Sequence, residues 1–286
     1  MKERTTIRTI VRVVALVAIA IVVVSVLRAS RNNRLYKLLD EGRTEEALAL
    51  IERMDERDVN AYSAPLFLLK PMGIFTQGMW RIELPLVYAC EKDNLEVVEA
   101  LLKKGADPNR FVELHWTPLE AAFVNKRDNR LEIAKLLIEY GADVNLHASS
   151  VPPLFLLTGT LLYKVEDGKV NVEYLETSIE VIFLLLDNGA NPIHENYGSS
   201  VLHNSAYGNH VAVSARLIDD YHLPIDTIDD YGQTPLMYSA RNNSADTARL
   251  LLEHGADRSI ADNDGKTAYD FAVENGNIEL MELLKP

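Results

Sequence analysis

Apolar residues recur at helical spacing along most of the chain, and a glycine closes each run. In Leu95–Gly105 the leucines and valines fall three and four positions apart, which predicts a helix with one buried face. Glycine ends such a helix cheaply because it adopts left-handed backbone angles without a steric cost. The same run and glycine recur at Gly141, Gly189 and Gly255, so the chain is predicted to repeat one helical unit.

A second marker precedes each run. Thr117-Pro118 and Thr234-Pro235 read as a helix cap followed by a proline in the first helical turn. Glu120 lies three residues after Thr117, and this spacing predicts a capping box. Each unit is therefore a turn, a short inner helix, a tight connection, a longer outer helix and a glycine stop. The inner helices are predicted to begin near residues 85, 118, 153, 201 and 235.

Together the period and the motifs resemble the ankyrin repeat. WTPLEAA and QTPLMYSA are similar to its inner-helix signature, and LLKKGADPN and LLIEYGADVN to its outer-helix ending. The resemblance implies an all-α fold at residues 33–286, with six to seven repeats including degenerate caps. Residues 61–80 and 158–176 interrupt the period, and we predict loops there, the second a small hairpin.

The N-terminal segment has a different character. Residues 13–27 carry no charge, and residues 9–27 as a helix would span about 28 Å, close to a hydrocarbon core of about 30 Å. We predict a basic tail at 1–8, a transmembrane signal anchor at 9–27 and a linker at 28–32. A cleaved signal peptide is the alternative. The basic residues flank the span almost evenly, with a weak preference for an external repeat domain.

Charge is distributed unevenly along the chain. Residues 1–37 hold eight Lys or Arg and one Glu, a net charge of +7, and the remaining residues carry a net charge of −20. So acidic a domain would repel a phosphate backbone, so nucleic-acid binding is not expected. A partner steered by charge should be a basic protein, although the acidity also serves solubility.

The sequence contains few motifs typical of catalysis, phosphate binding or metal binding. GKT at Gly265–Thr267 lacks the upstream glycine of a phosphate-binding loop and fits the repeat's own turn. His203 stands where the repeat's histidine bonds the neighbouring turn, and Cys90 takes an alanine-like buried position. The histidines show no metal-ligand spacing. We therefore expect no catalytic residue, metal site or cofactor, and no small-molecule substrate.

The resemblance implies binding through turn tips and inner helices. Large aromatic side chains on this edge are candidate anchors, because such residues dominate binding energies. They would alternatively only cover the adjacent turn. The candidates for partner binding are Phe111, His115, Trp116, Tyr197, Asp229, Asp230 and Tyr231.

These features predict a non-enzymatic module, tethered to a bacterial inner membrane with its repeats in the periplasm, that binds a protein partner. One form of this hypothesis is an immunity protein that neutralises a toxin aimed at the cell envelope. The alternative is a scaffold or stress-related regulator of an envelope enzyme. An enzyme built on the insertions is the least favoured reading.

Overall fold

The computed structural model describes residues 2–61, 84–112, 115–124, 128–149, 151–162, 172–193 and 197–286. These residues fall into two compact units, Met1–Asp143 and Val144–Pro286. The described residues form helices and connecting turns. One isolated antiparallel bridge, between Ile193 and Ser200, is recorded among them.

The first unit contains a long helix followed by helical hairpins. Its helices are α1 (Lys2–Asp40), α2 (Thr44–Ile51), α3 (Glu56–Val59), α4 (Pro85–Glu91), α5 (Leu95–Lys103), α6 (Pro118–Val124) and α7 (Arg130–Glu139). The C-terminal part of α1 packs against α4, and α4 packs against α6, to form the inner layer. The outer layer is α2 against α5 and α5 against α7. Leucine, valine and isoleucine side chains fill the space between the layers, with Leu101, Ile133 and Leu137 fully buried.

The second unit repeats the same hairpin four times. Its helices are α8 (Pro153–Leu162), α9 (Val172–Asp187), α10 (Val201–Tyr207), α11 (Val211–Asp219), α12 (Pro235–Arg241), α13 (Ala245–Glu253), α14 (Ala268–Glu274) and α15 (Ile278–Leu284). The inner layer is α8, α10, α12 and α14 in sequence, and α11, α13 and α15 pack successively in the outer layer. The inner helices in both units begin at the predicted residues 85, 118, 153, 201 and 235.

The backbone angles confirm the predicted glycine stops at the ends of the outer helices. Gly105, Gly141, Gly189 and Gly255 have φ values of 85°, 88°, 85° and 91°, the left-handed region that ends a helix. The predicted capping box is present too, since the Thr117 amide donates to Glu120 Oε2 at 2.7 Å and the Glu120 amide donates to Thr117 Oγ1 at 3.1 Å. Both residues are buried, so this cap sits inside the fold.

An asparagine ladder (Asn60, Asn109 and Asn145) joins successive turns within each unit. Each amide donates to the carbonyl of the next glycine stop, Gly105, Gly141 or Gly189, at 2.8 to 2.9 Å. Each Oδ1 accepts the amide two residues beyond that glycine, at 2.9, 2.7 and 2.7 Å. One side chain therefore satisfies two backbone groups that the helix ends leave unpaired.

The N-terminal region differs from the sequence prediction in one respect. Residues 28–32, expected as a linker, lie inside α1, and Ala29 and Asn32 are buried against the first unit. The helix continues because its buried stripe extends into the first hairpin. Within the residues that the structure describes, no helix is long and apolar enough to cross a membrane. The span predicted at 9–27 stays a prediction.

The two predicted insertions lie largely outside the described residues. Only residue 61 of the first is described, and residues 163–171, including the predicted hairpin turn, are not. The described ends of the second insertion are helical. They make α8 ten residues long and α9 sixteen, against seven for α10 and nine for α11.

Candidate interaction site

The turn that precedes α12 is organised around Asp229. Its carboxylate accepts the amides of Tyr231 and Gln233 at 2.9 and 2.8 Å, and the Tyr238 hydroxyl at 2.8 Å. Asp229 is therefore buried, whereas the sequence marked it as a partner contact. The side chain shapes the turn, because a carboxylate that accepts three hydrogen bonds has little left to offer a ligand.

Neighbouring turns of the second unit stack through their backbones. The Asp230 amide donates to the Tyr197 carbonyl at 3.1 Å, and the Asn263 amide donates to the Tyr231 carbonyl at 3.0 Å. Gly232 has a φ of 75°, and a Cβ there would lie 2.7 Å from Asn263 Oδ1. A glycine is needed for this close approach, which fixes the spacing of the turn tips.

Four large side chains project from these stacked turns. Tyr197 and Tyr231 are 58% and 66% exposed, and Ile193 and Ile228 are 41% and 56% exposed. We call these four residues the tyrosine edge. Asp230 is exposed beside it. The structure thus brings together three of the predicted contacts, Tyr197, Asp230 and Tyr231, and adds two isoleucines that the sequence analysis missed because isoleucine in a repeat is usually core.

A polar cleft lies between the inner helices α12 and α14 and the turn before α14. It has a volume of about 470 Å³, and Phe271 lies in its wall. Two cations flank that ring, Arg241 at 5.6 Å and Lys266 at 5.7 Å from its centroid. Both are already engaged: Arg241 Nη1 donates to Gln233 Oε1 at 2.7 Å, and Lys266 Nζ lies 2.6 Å from Glu274 Oε1. The sequence pattern does not reveal this cleft, because its lining residues come from two different repeats.

The carboxylates of the cleft differ in role. Asp262 accepts the amides of Asp264 and Lys266 at 3.0 and 2.9 Å, which makes it the counterpart of Asp229 in the next turn. Burial opposes ionisation of Asp262, but these hydrogen bonds and the one from Gln233 leave its pKa below the ordinary value. Asp264 and Glu274 are exposed at the rim. They are the carboxylates that face solvent.

The predicted contacts of the first unit lie in the turn between α5 and α6. His115 is exposed, and Phe111 and Trp116 are half-buried. Trp116 directly precedes the Thr117 cap, so its backbone is fixed by the start of α6. These three residues form a group of their own in the first unit.

The histidine and cysteine singled out from the sequence are structural. His203 Nδ1 accepts the Ser200 amide at 2.9 Å, so the proton sits on Nε2, which donates to the Gln233 carbonyl at 3.0 Å. Burial lowers the pKa of His203, and the ring therefore stays neutral at physiological pH. Cys90 is buried, and burial raises the pKa of its thiol well above the usual range. Among the described residues, no group of three or more His, Cys, Asp or Glu is placed to hold a metal ion.

The second unit is strongly acidic. Residues 144–286 contain 21 Asp or Glu and eight Lys or Arg. An apolar edge surrounded by this much negative charge is suited to a partner surface with exposed apolar groups and a basic rim.

The fold and these surfaces define a class: helical-repeat proteins that present turn tips and inner helices to a partner. The family model for ankyrin repeats matches three times, at residues 66–148, 172–262 and 222–286. The chain therefore belongs to the ankyrin-repeat family. Proteins of this kind are typically interaction modules without enzymatic activity, and they bind protein partners.

Two curated relatives share the repeats and are much longer than this chain. The ankyrin repeat protein nuc-2 of Neurospora crassa is 27% identical over 204 residues, which are 71% of this chain and 17% of that protein. The palmitoyltransferase AKR1 of Lachancea kluyveri is 23% identical over 214 residues, 68% of this chain and 25% of that enzyme. The chain thus spans a small part of these relatives.

Solved structures match over most of the repeat region. The ankyrin repeat protein EF0377 is 29% identical with a TM-score of 0.55, covering 70% of this chain and 96% of that one. A chain from the complex of the Bdellovibrio bacteriovorus predatory endopeptidase Bd0816 with the immunity protein Bd3460 has a TM-score of 0.57 at 24% identity. That match covers 70% of this chain and 96% of the other. At that identity the likeness concerns the fold alone.

Proposed function

We propose that this protein is a membrane-tethered interaction module that binds a basic protein through the tyrosine edge and the polar cleft. The observation that carries the proposal is the exposure of Tyr197 and Tyr231 at 58% and 66% on turns whose backbones are fixed by hydrogen bonds. Rigid, exposed tyrosines lose little conformational entropy on binding, which is why they serve well as interface anchors.

The cleft accounts for the preference for a basic partner. A lysine or arginine from the partner would face Asp264 and Glu274 at the rim and would compete with Lys266 for Glu274. The Lys266–Glu274 pair is partly exposed, at 42% and 52%, so its exchange for an intermolecular pair costs little. The surrounding negative charge would speed encounter with such a partner.

The tether is part of the same proposal. Its support is the uncharged run at 13–27, which continues into the helix that begins the first unit. We place the anchor in a bacterial inner membrane with the repeats on the periplasmic side. Retention of the full chain in membranes after alkaline carbonate washing is the expected result, and release into the wash would contradict the tether.

An immunity protein is the form of this function that we favour. The fold likeness to a chain from an endopeptidase–immunity protein complex supports it, and an acidic surface is suited to a basic toxin. Cells lacking this protein should then be killed by siblings that deliver the matching toxin, and restored expression should protect them. Unchanged survival, with altered activity of an envelope enzyme instead, would favour the scaffold alternative.

The binding surface is tested by affinity capture with the detergent-solubilised full chain. A Tyr197→Ala/Tyr231→Ala variant should lose one basic protein that the wild type captures from native extract at moderate salt. A Tyr140→Ala variant is the matched control, since Tyr140 is 39% exposed at the end of α7 in the first unit. Capture of the same proteins by all three chains would refute the tyrosine edge as the binding surface.

A further inference from the structure

The helix that carries the apolar run is fixed to the first unit at residues 28–32, directly after that run. Arg28 Nε donates to Asp58 Oδ1 at 3.2 Å, and Arg31 pairs with Asp58 Oδ2. The Asp58 side chain is only 3% exposed. Asn32, which is fully buried, donates to the carbonyls of Asp58 and Ala61 at 3.2 and 2.7 Å. Residues 28–32 of α1, which directly follow the apolar run, therefore lie beside residues 58–61.

Residues 58–61 lie at the same end of the unit as the turn after α5. Asn60 Nδ2 donates to the Gly105 carbonyl at 2.8 Å, and Asn60 Oδ1 accepts the Asp107 amide at 2.9 Å. Lys104 Nζ donates to the Glu52 carbonyl at 3.0 Å. We call this end, residues 28–31, 52–61 and 103–112, the exit edge, because α1 leaves the unit there toward residue 27.

The opposite end of the unit is fixed equally well. The Tyr88 hydroxyl donates to Asp40 Oδ1 at 2.6 Å, near the C-terminus of α1. Asn94 Nδ2 donates to Thr44 Oγ1 at 3.0 Å. Helix α4 ends at this far edge, since Lys92 Nζ, just after α4, lies 2.6 Å from Asp40 Oδ1. The chain after α6 lies there too, since the Asn129 amide donates to Asp93 Oδ2 at 3.2 Å. Both helices therefore start at the exit edge, and Trp116, just before α6, belongs to it.

We propose that the exit edge of the first unit lies on the membrane surface and contacts anionic phospholipid headgroups. The proposal rests on the proposed tether at 9–27. Residues 28–31 follow the apolar run directly, and four helical residues rise about 6 Å. A headgroup layer is about 5–7 Å thick on each side of the hydrocarbon core. Because the rise of residues 28–31 is no larger than the thickness of the headgroup layer, the exit edge lies at the depth of the headgroups.

The chemistry of the exit edge agrees with this placement. Residues 28–31, 52–58 and 103–110 hold seven Lys or Arg and five Asp or Glu, a net positive surface on a chain that carries −20 after residue 37. Basic residues close to a bilayer are attracted to anionic lipids. Phe111 and Trp116 are half-buried at the same edge, and tryptophan favours the interface between lipid and water. These aromatics are thereby assigned to lipid and not to the protein partner.

The test measures contact between Trp116 and lipid. The full chain carrying Trp80→Phe, so that Trp116 is the remaining tryptophan, is reconstituted into vesicles of phosphatidylethanolamine and phosphatidylglycerol. Brominated lipids quench a tryptophan at the interface, and Trp116 should lose most of its emission. The control carries Trp80→Phe, Trp116→Phe and Arg43→Trp, which moves the fluorophore to the far edge, and its emission should persist.

A second measurement guards against a variant that does not fold. Arg110→Cys and Arg43→Cys chains are spin-labelled at the new thiol, since Cys90 is buried. A nickel-chelating lipid should broaden the label at residue 110 and leave the one at residue 43 unchanged. If the chain stays in the membrane during carbonate washing but the lipid broadens both labels equally, or neither, the headgroup contact is refuted and the tether is not. Release of the chain by carbonate would overturn both.

Discussion

Asp226 occupies a position equivalent to the ladder asparagines, and its replacement by asparagine should stabilise the second unit. The Asp257 amide donates to Asp226 at 3.1 Å, as the corresponding amides donate to Asn60, Asn109 and Asn145. An aspartate accepts this bond but, when ionised, cannot donate to the carbonyl of Gly255. The three asparagines make that second bond at 2.8 to 2.9 Å. Asp226→Asn restores the missing donor.

The magnitude follows from one added hydrogen bond. Such a bond contributes about 1 kcal/mol, which raises the Tm of a domain of this size by about 2–4 °C. Burial, followed by the charge of Asp257, raises the pKa of Asp226, despite the opposing bond from the Asp257 amide. A raised carboxyl pKa favours the protonated form in the folded state. The wild type therefore loses stability as the pH rises through that pKa, and the advantage of asparagine should grow from acidic to neutral pH.

Thermal unfolding of the full chain in detergent, followed by circular dichroism at several pH values, measures the effect. Glu282→Gln is the control, since it removes one charge from the exposed side of α15 without touching the ladder. It should leave the Tm nearly unchanged. A Tm for Asp226→Asn that equals the wild type at neutral pH, or a gain that shrinks as the pH rises, would refute the reasoning.

Three further changes test other parts of the fold. His222 occupies a left-handed position with a φ of 52°. His222→Gly should therefore raise the free energy of unfolding, measured in denaturant, by about 1 kcal/mol. A lower free energy of unfolding would show that the backbone at His222 is not strained. Thr117→Ala should destabilise by about 1–2 kcal/mol, because it removes the cap of α6, whereas Thr117→Ser should retain most stability. Asp58→Ala leaves Arg28 and Arg31 without their shared carboxylate. It should speed hydrogen exchange in residues 28–61, and unchanged exchange there would refute the clamp.

The sequence predicted the repeat well because its signals are local. Gly141 and the Thr117 cap each act within a few residues of themselves, so helix starts and stops can be read directly. The prediction of a linker at 28–32 was wrong, because polar residues that follow an apolar run are typical of a domain boundary. Here Asn32 is buried by bonds to Asp58 and Ala61, partners that local patterns do not reveal.

The turn positions of the candidate contacts could be predicted for the same reason. Tyr197 and Tyr231 occupy turn positions that the repeat fixes, and both are exposed. Their role in binding stays a prediction. Asp229 was misjudged, since the same turn position serves either as a contact or as an internal acceptor, and only the hydrogen bonds to Tyr231 and Gln233 decide. The polar cleft required knowing which residues of successive repeats become neighbours.

The central claim, that the tyrosine edge binds a protein, is tested most directly by photocrosslinking in living cells. A benzophenone amino acid placed at Tyr231 should form one crosslink to a basic protein, and the crosslink should weaken as salt concentration rises. The same group at Glu253, exposed on the outer helix α13, should form none. Matching crosslinks from both positions, or adducts with lipid alone at position 231, would contradict the account.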